Sequence, residues 1–279
     1  MNKVDIVMTS YNGEKYISEQ IDSILNSSYQ NFHISIYDDG STDSTLEIIT
    51  KYHLDNIDKI TIYKNKKNKG VTRNFLEGLS NTDSDYIMFC DQDDYWKEDK
   101  ILITLNEMIK SEQRNPNLPI AVFTDVIVAN KDLKEIHPSF FKLSYLNPYK
   151  IDLPRLLMEN KLIGCSVMVN KRVRDVIKSN SIPRYAKFHD GWVGLIAASM
   201  GEIIFLNKGT LLYRQHGGNL VGNIKFKDYF VNRIKDLKAQ KESLIILQRQ
   251  AEEFCVLYKE KLTKENYNII LIFPKLNKY

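Results

Sequence analysis

The sequence predicts an α/β fold: a mostly parallel central sheet flanked by helices, with a C-terminal helical extension. Three observations predict it. Short apolar runs alternate with stretches of helical periodicity through the first hundred residues. Each run stops at a polar or acidic cluster, where the chain turns into a helix. From about Lys225 the chain becomes lysine-rich amphipathic sequence of helical character.

The elements follow in order. VDIVMTS (Val4–Ser10) is a short apolar run and reads as a buried strand. EKYISEQIDSILNSS carries Tyr16, Ile17, Ile21, Ile24 and Leu25 at helical spacing. HISIYDD is a second strand. STDSTLEIITKYH opens with hydroxyl and Asp residues suited to an N-cap and then turns amphipathic. KITIYKN is a third strand and VTRNFLEGLS a short helix. DYIMFCD is a fourth strand, followed by a helix expected to begin near Lys97. Such alternation implies parallel strands covered on both faces.

Beyond residue 105 the pattern is less regular. IAVFTDVIVAN reads as a strand, DLPRLLMENKL as a helix, IGCSVMVN as a strand and KRVRDVIKSN as a helix. FHDGWVGLIAASMG is a helix entered through His189 and Asp190, and EIIFLNKGTLLYRQH a strand pair or one extended segment.

Bulk properties exclude several classes. The 279 residues are 43% hydrophobic and 27% charged, ordinary for a globular chain with a sizeable core. A net charge of +4 is too weak to argue for nucleic acid, so no nucleic-acid partner is expected. Cys90, Cys165 and Cys255 are odd in number and far apart, without CxxC spacing, which fits a reducing, cytoplasmic setting. No run of about 18 apolar residues occurs, so no transmembrane helix is expected. GxGxxG and GxxxxGK[ST] are both missing after the first strand, which runs into TSYNGEKY.

In parallel α/β sheets ligands bind beyond the carboxyl ends of the strands. Those ends here are TSYN, DDGSTD, NKGVTRN and DQDD. In DQDD, one helix cap accounts for one Asp, and Asp94 suits that role. Alternating Asp91 and Asp93 can share Mg²⁺ or Mn²⁺ with a diphosphate, because these ions take hard oxygen ligands. In DDGSTD, Gly40 turns the chain and Ser41 or Thr42 caps, while an Asp at the strand end can accept the N3–H of uracil or thymine. Tyr11 can stack on a base that Thr9 hydrogen-bonds. Arg73 can reach a base or phosphate, or be a solvated surface residue.

The four motifs in this order resemble the family 2 glycosyltransferases with the GT-A (nucleotide-diphospho-sugar transferase) fold, over roughly residues 1–220. The resemblance implies nucleoside binding by Thr9, Tyr11, Asp39 and Arg73, with Asp91 near the ribose or metal. It implies Asp93 as metal ligand, and a return of His216, in YRQHGGN, and of Arg214 to the metal-diphosphate. It implies a catalytic base at Asp190, with His189 as the alternative and an N-cap role for Asp190 as the bland one. DQDDYW, HDGW and YRQHGGN are similar to the branch containing bacterial rhamnosyltransferases and other capsule or cell-wall polysaccharide transferases. That implies a dTDP-sugar donor such as dTDP-rhamnose, or a UDP-sugar, and a glycan or lipid-linked saccharide acceptor. The expected organisation is a GT-A domain over 1–222, with a nucleotide-binding half (1–105) and an acceptor-binding half (106–222), and a helical extension over 223–279. The extension reads as a packed helical cap or as a peripheral contact with the inner face of the plasma membrane. A non-catalytic nucleotide-sugar-binding protein on the same fold is the alternative function.

Overall fold

A computed structural model describes residues 2–216 and 237–275. The expected boundary at 222/223, the glycines of YRQHGGN, the first part of the lysine-rich stretch and residues 276–279 lie outside the described residues.

The strands are β1 (Val4–Ser10), β2 (Phe32–Asp38), β3 (Ile60–Lys64), β4 (Tyr86–Cys90), β5 (Tyr95–Trp96), β6 (Ile120–Ala129), β7 (Glu135–His137), β8 (Val167–Asn170) and β9 (Glu202–Arg214). They form one sheet in the order β3-β2-β1-β4-β8-β6-β9-β5, with β7 beside β6. The first four are parallel, as the alternation predicts. Strand β8 then runs antiparallel to both β4 and β6, and β9 runs parallel to β6. Thus β1, β2, β4, β6 and β9 all end on the same edge. The sheet is parallel in its first half and mixed in its second.

Chain order reverses between β1 and β4, because β2 and β3 extend to one side and β4 returns to the other. Register aligns Ser10 with Asp38, and Met8 with Cys90. The polar ends TSYN, DDG and DQDD therefore flank one crevice, the usual ligand site of such sheets.

Helices α1 (Ile17–Leu25), α2 (Thr45–Asp55), α3 (Val71–Asn81) and α4 (Lys100–Arg114) fall where periodicity puts them. The later helices are α5 (Phe140–Leu143), α6 (Leu153–Met158), α7 (Lys171–Lys178), α8 (His189–Met200), α9 (Leu237–Tyr258) and α10 (Lys264–Ile272). Strand residues alternate between two cores. Ile6, Met8, Ile34, Ile36 and Met88 pack with Ile21 of α1 and Leu105 of α4. Val7, Ile87 and Phe89 face Phe75 of α3, Trp192 of α8, and Phe254 and Tyr258 of α9.

The C-terminal helices share that second core. Phe254, Ile270 and Phe273 are buried, and the Trp192 indole N–H donates to the Tyr258 hydroxyl at 3.3 Å.

Of the two readings of residues 202–214, the single extended segment holds: β6 runs alongside β9, and β5 pairs with it at Leu211 and Leu212. Two local expectations are corrected. Helix α4 begins at Lys100 behind Asp99, so Asp94 caps nothing; Tyr95 and Trp96 first pair with β9. Neither Ser41 nor Thr42 caps α2: Asp43 accepts from the Thr45 N–H at 3.0 Å. Gly40 does make the expected turn, at φ +83°.

Candidate active site

At the end of β2 the two carboxylates have different tasks. Asp38 is fully buried and accepts from the hydroxyls of Ser10 (3.0 Å) and Ser41 (2.6 Å) and from the N–H groups of Gly40 and Ser41. It ties the β1 and β2 ends together. Asp39 faces the loop after β3, accepting from the Asn65 amide (2.8 Å) and the N–H groups of Lys69 and Gly70 (both 2.9 Å). Asn65 also donates to Asn74 in α3. Asp39 thus sets the start of α3, which carries Arg73. The Arg73 guanidinium pairs along its own helix with Glu77 at 2.7 Å and is half exposed. Thr9 is buried, and Tyr11 is exposed at the crevice mouth.

The DQDD loop ends β4. Asp93 Oδ2 lies 2.7 Å from His216 Nε2, so two of the three residues expected at the metal meet across the edge. The His216 ring packs on Tyr16 at 4.8 Å. Arg214 is engaged by the protein itself. Its buried guanidinium donates to the Asp93 carbonyl (2.7 Å), the Lys131 carbonyl (2.6 Å) and Glu19 (2.5 Å), and lies over the Tyr16 ring. Its backbone N–H donates to Asp94 Oδ1 at 3.1 Å. The end of β9 therefore fixes the acidic loop.

Donor atoms of Asp91, Asp94 and Cys165 lie within 4.8 Å of one another. Burial, then the neighbouring Asp94, Asp93 and Asp190, hold the Asp91 carboxyl well above the usual carboxylate range. Burial and Asp93 push Asp94 up to about 7. The crowded carboxylates would suit a divalent cation that takes hard oxygen ligands; the soft Cys165 thiol lies beside them, and the His216 imidazole lies with Asp93. Asp94 is the member that sequence reasoning missed; its place beside Cys165 depends on β8 returning next to β4.

Asp190 sits in the first turn of α8, whose N-cap is Phe188. It is therefore not the cap. Burial pushes its carboxyl up to about 6, against hydrogen bonds from the Gly191 and Gly164 backbones and the Asn160 side chain. It lies near enough to Asp91 to raise that group. His189, the alternative base, lies among aromatic rings. Its ring stacks on Phe75 at 3.9 Å and meets the edge of Phe89, and burial pushes it down to about 3. Gly164 permits this arrangement: a Cβ there would come within 2.8 Å of His189 Nε2 and 3.5 Å of an Asp190 oxygen.

The family model "Glycosyl transferase family 2" matches residues 5–168. An uncharacterized glycosyltransferase of Haemophilus influenzae is 37% identical over 111 residues, covering 40% of this chain and 44% of that protein. The dTDP-rhamnosyl transferase RfbG of Shigella flexneri is 29% identical over 231 residues, 79% of this chain and 75% of its own. Among solved structures, Staphylococcus aureus TarS 1-349 in complex with UDP-GlcNAc superposes with TM-score 0.56 at 16% identity, over 97% of this chain and 79% of that one. Mannosyltransferase PcManGT from Pyrobaculum calidifontis, in complex with GDP-Man and Mn²⁺, gives TM-score 0.61 at 14% identity, over 98% and 69%. At such identities the structural likeness speaks for the fold, which is GT-A.

Proposed function

We propose, from the premise that the chain belongs to glycosyl transferase family 2, that it is an inverting, metal-dependent glycosyltransferase. It transfers a sugar from a dTDP- or UDP-sugar to a hydroxyl of a glycan or lipid-linked saccharide in bacterial surface polysaccharide synthesis. The likeness to a dTDP-rhamnosyl transferase over most of both chains supports dTDP-rhamnose as donor. The setting is the cytoplasm at the inner face of the plasma membrane, where a nucleotide sugar and a lipid-linked acceptor meet.

One observation carries the reading: the buried Asp190 carboxyl, raised to about 6, lies near enough to Asp91 to raise that group, on the same loop whose Asp93 meets His216. A carboxylate of that basicity is poised to take a proton near neutral pH. Tyr11 stacks on the base, Thr9 and Asp39 hydrogen-bond to it and Arg73 reaches the nucleotide. For Asp39 this means that the N3–H of a uracil or thymine joins or displaces an N–H of Lys69 or Gly70. Asp190 accepts the proton of the acceptor hydroxyl as its oxygen bonds to the anomeric carbon, and the bond from that carbon to the nucleoside diphosphate breaks. Single displacement inverts the configuration. Asp91, Asp93 and His216 would hold Mg²⁺ or Mn²⁺, which supplies charge stabilisation for the departing diphosphate.

The test combines binding and transfer. Purified protein is screened by thermal shift against nucleotide sugars with Mn²⁺, and the right donor raises the melting temperature. Asp93→Ala abolishes both the metal-dependent shift and transfer. Asp190→Asn removes transfer but keeps the shift. Full transfer by either variant would overturn the role given to that residue.

A further inference from the structure

The middle residue of DQDD faces away from the acids that flank it. Gln92 Oε1 accepts from the Tyr11 N–H at 2.9 Å, and Gln92 Nε2 donates to the Tyr11 carbonyl at 3.1 Å. One amide thus satisfies both main-chain groups of one residue, as a strand neighbour would. It does so across the crevice where β1 and β4 diverge. The other flank of the same loop is also held: the Asn12 N–H donates to the Ser41 hydroxyl, and the Asn12 side chain accepts from Thr42. The site is complementary in a second way. A Cβ on Gly13 would lie 2.2 Å from Gln92 Oε1 and 2.5 Å from its Cδ. Only glycine at position 13 leaves room for the amide.

We infer that Gln92 and Gly13 form a two-residue lock that positions Tyr11 for the nucleoside and joins it to the metal loop. The inference rests on the nucleotide-binding reading above. Gln92 is a positioning residue: it acts through Tyr11, whose main chain it holds from the loop that carries Asp91 and Asp93. The lock can be broken by two independent routes. Gln92→Ala deletes the amide. Gly13→Ala keeps the glutamine but pushes its amide, the flexible end of the side chain, off Tyr11.

Calorimetric titration with UDP and dTDP tests this in wild type, both single variants and the double variant, alongside titration with Mn²⁺ alone. Each single variant is expected to weaken nucleotide binding by about three- to tenfold, the scale of two partly exposed hydrogen bonds. The double variant should be no weaker than the worse single, because both break one interaction. Affinity for Mn²⁺ alone and the melting temperature should stay close to wild type. In turnover the loss should appear in donor KM more than in kcat. Gln92→Glu, which keeps the acceptor and loses the donor, should fall between. Wild-type binding in Gln92→Ala, or a double variant whose loss is the product of the two singles, would overturn the lock. A wild-type protein that binds neither nucleotide would instead sink the nucleotide-binding reading, and the lock with it.

Discussion

Two adjacent residues, His189 and Asp190, respond to burial in opposite senses. The His189 imidazole, pushed down to about 3, stays neutral in the folded chain, whereas unfolding lets it protonate near its ordinary value. Between those values the unfolded state binds more protons, so this residue makes stability fall as pH falls. Asp190 has the reverse sign. Its folded value of about 6 exceeds the ordinary 3.8, so ionising it costs stability as pH rises through that window. Asp190→Asn is therefore expected to stabilise the protein at pH 7 by on the order of 1–3 kcal/mol, and by less at pH 5. Thermal melts at the two pH values check this, and wild-type transfer should lose rate on the acid side with a midpoint near 6. Both residues were legible as base candidates from FHDGWVG. The choice between them was not, because it depends on Phe75 and Phe89, which only the folded chain brings against the imidazole.

At the scale of elements, what fixes Asp190 is the segment leading into α8 and the helix that braces it. Residues 179–188 contain no helix or strand. Their N–H groups are met instead by α9: Glu253 accepts from Arg184 (2.9 Å) and Tyr185 (2.7 Å), and Gln250 accepts from Lys187 (2.9 Å). On the other side Thr72 of α3 donates to the Lys187 carbonyl. Glu253→Ala is expected to lower kcat several-fold while nucleotide affinity stays at wild type; Glu253→Gln should restore much of the rate. Calorimetry and steady-state kinetics on the same preparations separate the two. The parallel half of the sheet was readable because each of its strands is an apolar run with a turn after it. Short β5 and β7 were not, since two or three residues carry no periodicity and form only where β9 or β6 offers a partner.

At the scale of the whole molecule, the C-terminal helices belong to the main core. Trp192, in the first turn of α8, is fully buried against Phe254 and Tyr258. A chain ended at residue 222 is expected to lose its cooperative thermal transition, because that face of α8 would open to water. Differential scanning calorimetry of the shortened and full chains decides this. In the sequence α9 and α10 read either as a packed helical cap or as a membrane-surface helix, since a helix pattern shows that a face is apolar but not what covers it; the packing on α8 is that of the cap. The four strand-end motifs were legible for a simpler reason: parallel β1, β2 and β4 must end on one edge. That β9 would return to the same edge with Arg214 and His216 requires the antiparallel step at β8, which no local pattern announces.

The Arg214 clamp bears on how such proteins can be recombined. Its guanidinium grips Glu19, Tyr16 and the Asp93 carbonyl, all in the first hundred residues, yet it sits at the end of a strand from the far half of the chain. The first 105 residues are therefore not a portable module. A chimera that takes residues 1–105 from one relative and the remainder from another must inherit matching partners for this arginine. Without them the graft would carry a buried, unmatched cation directly beneath its acidic loop.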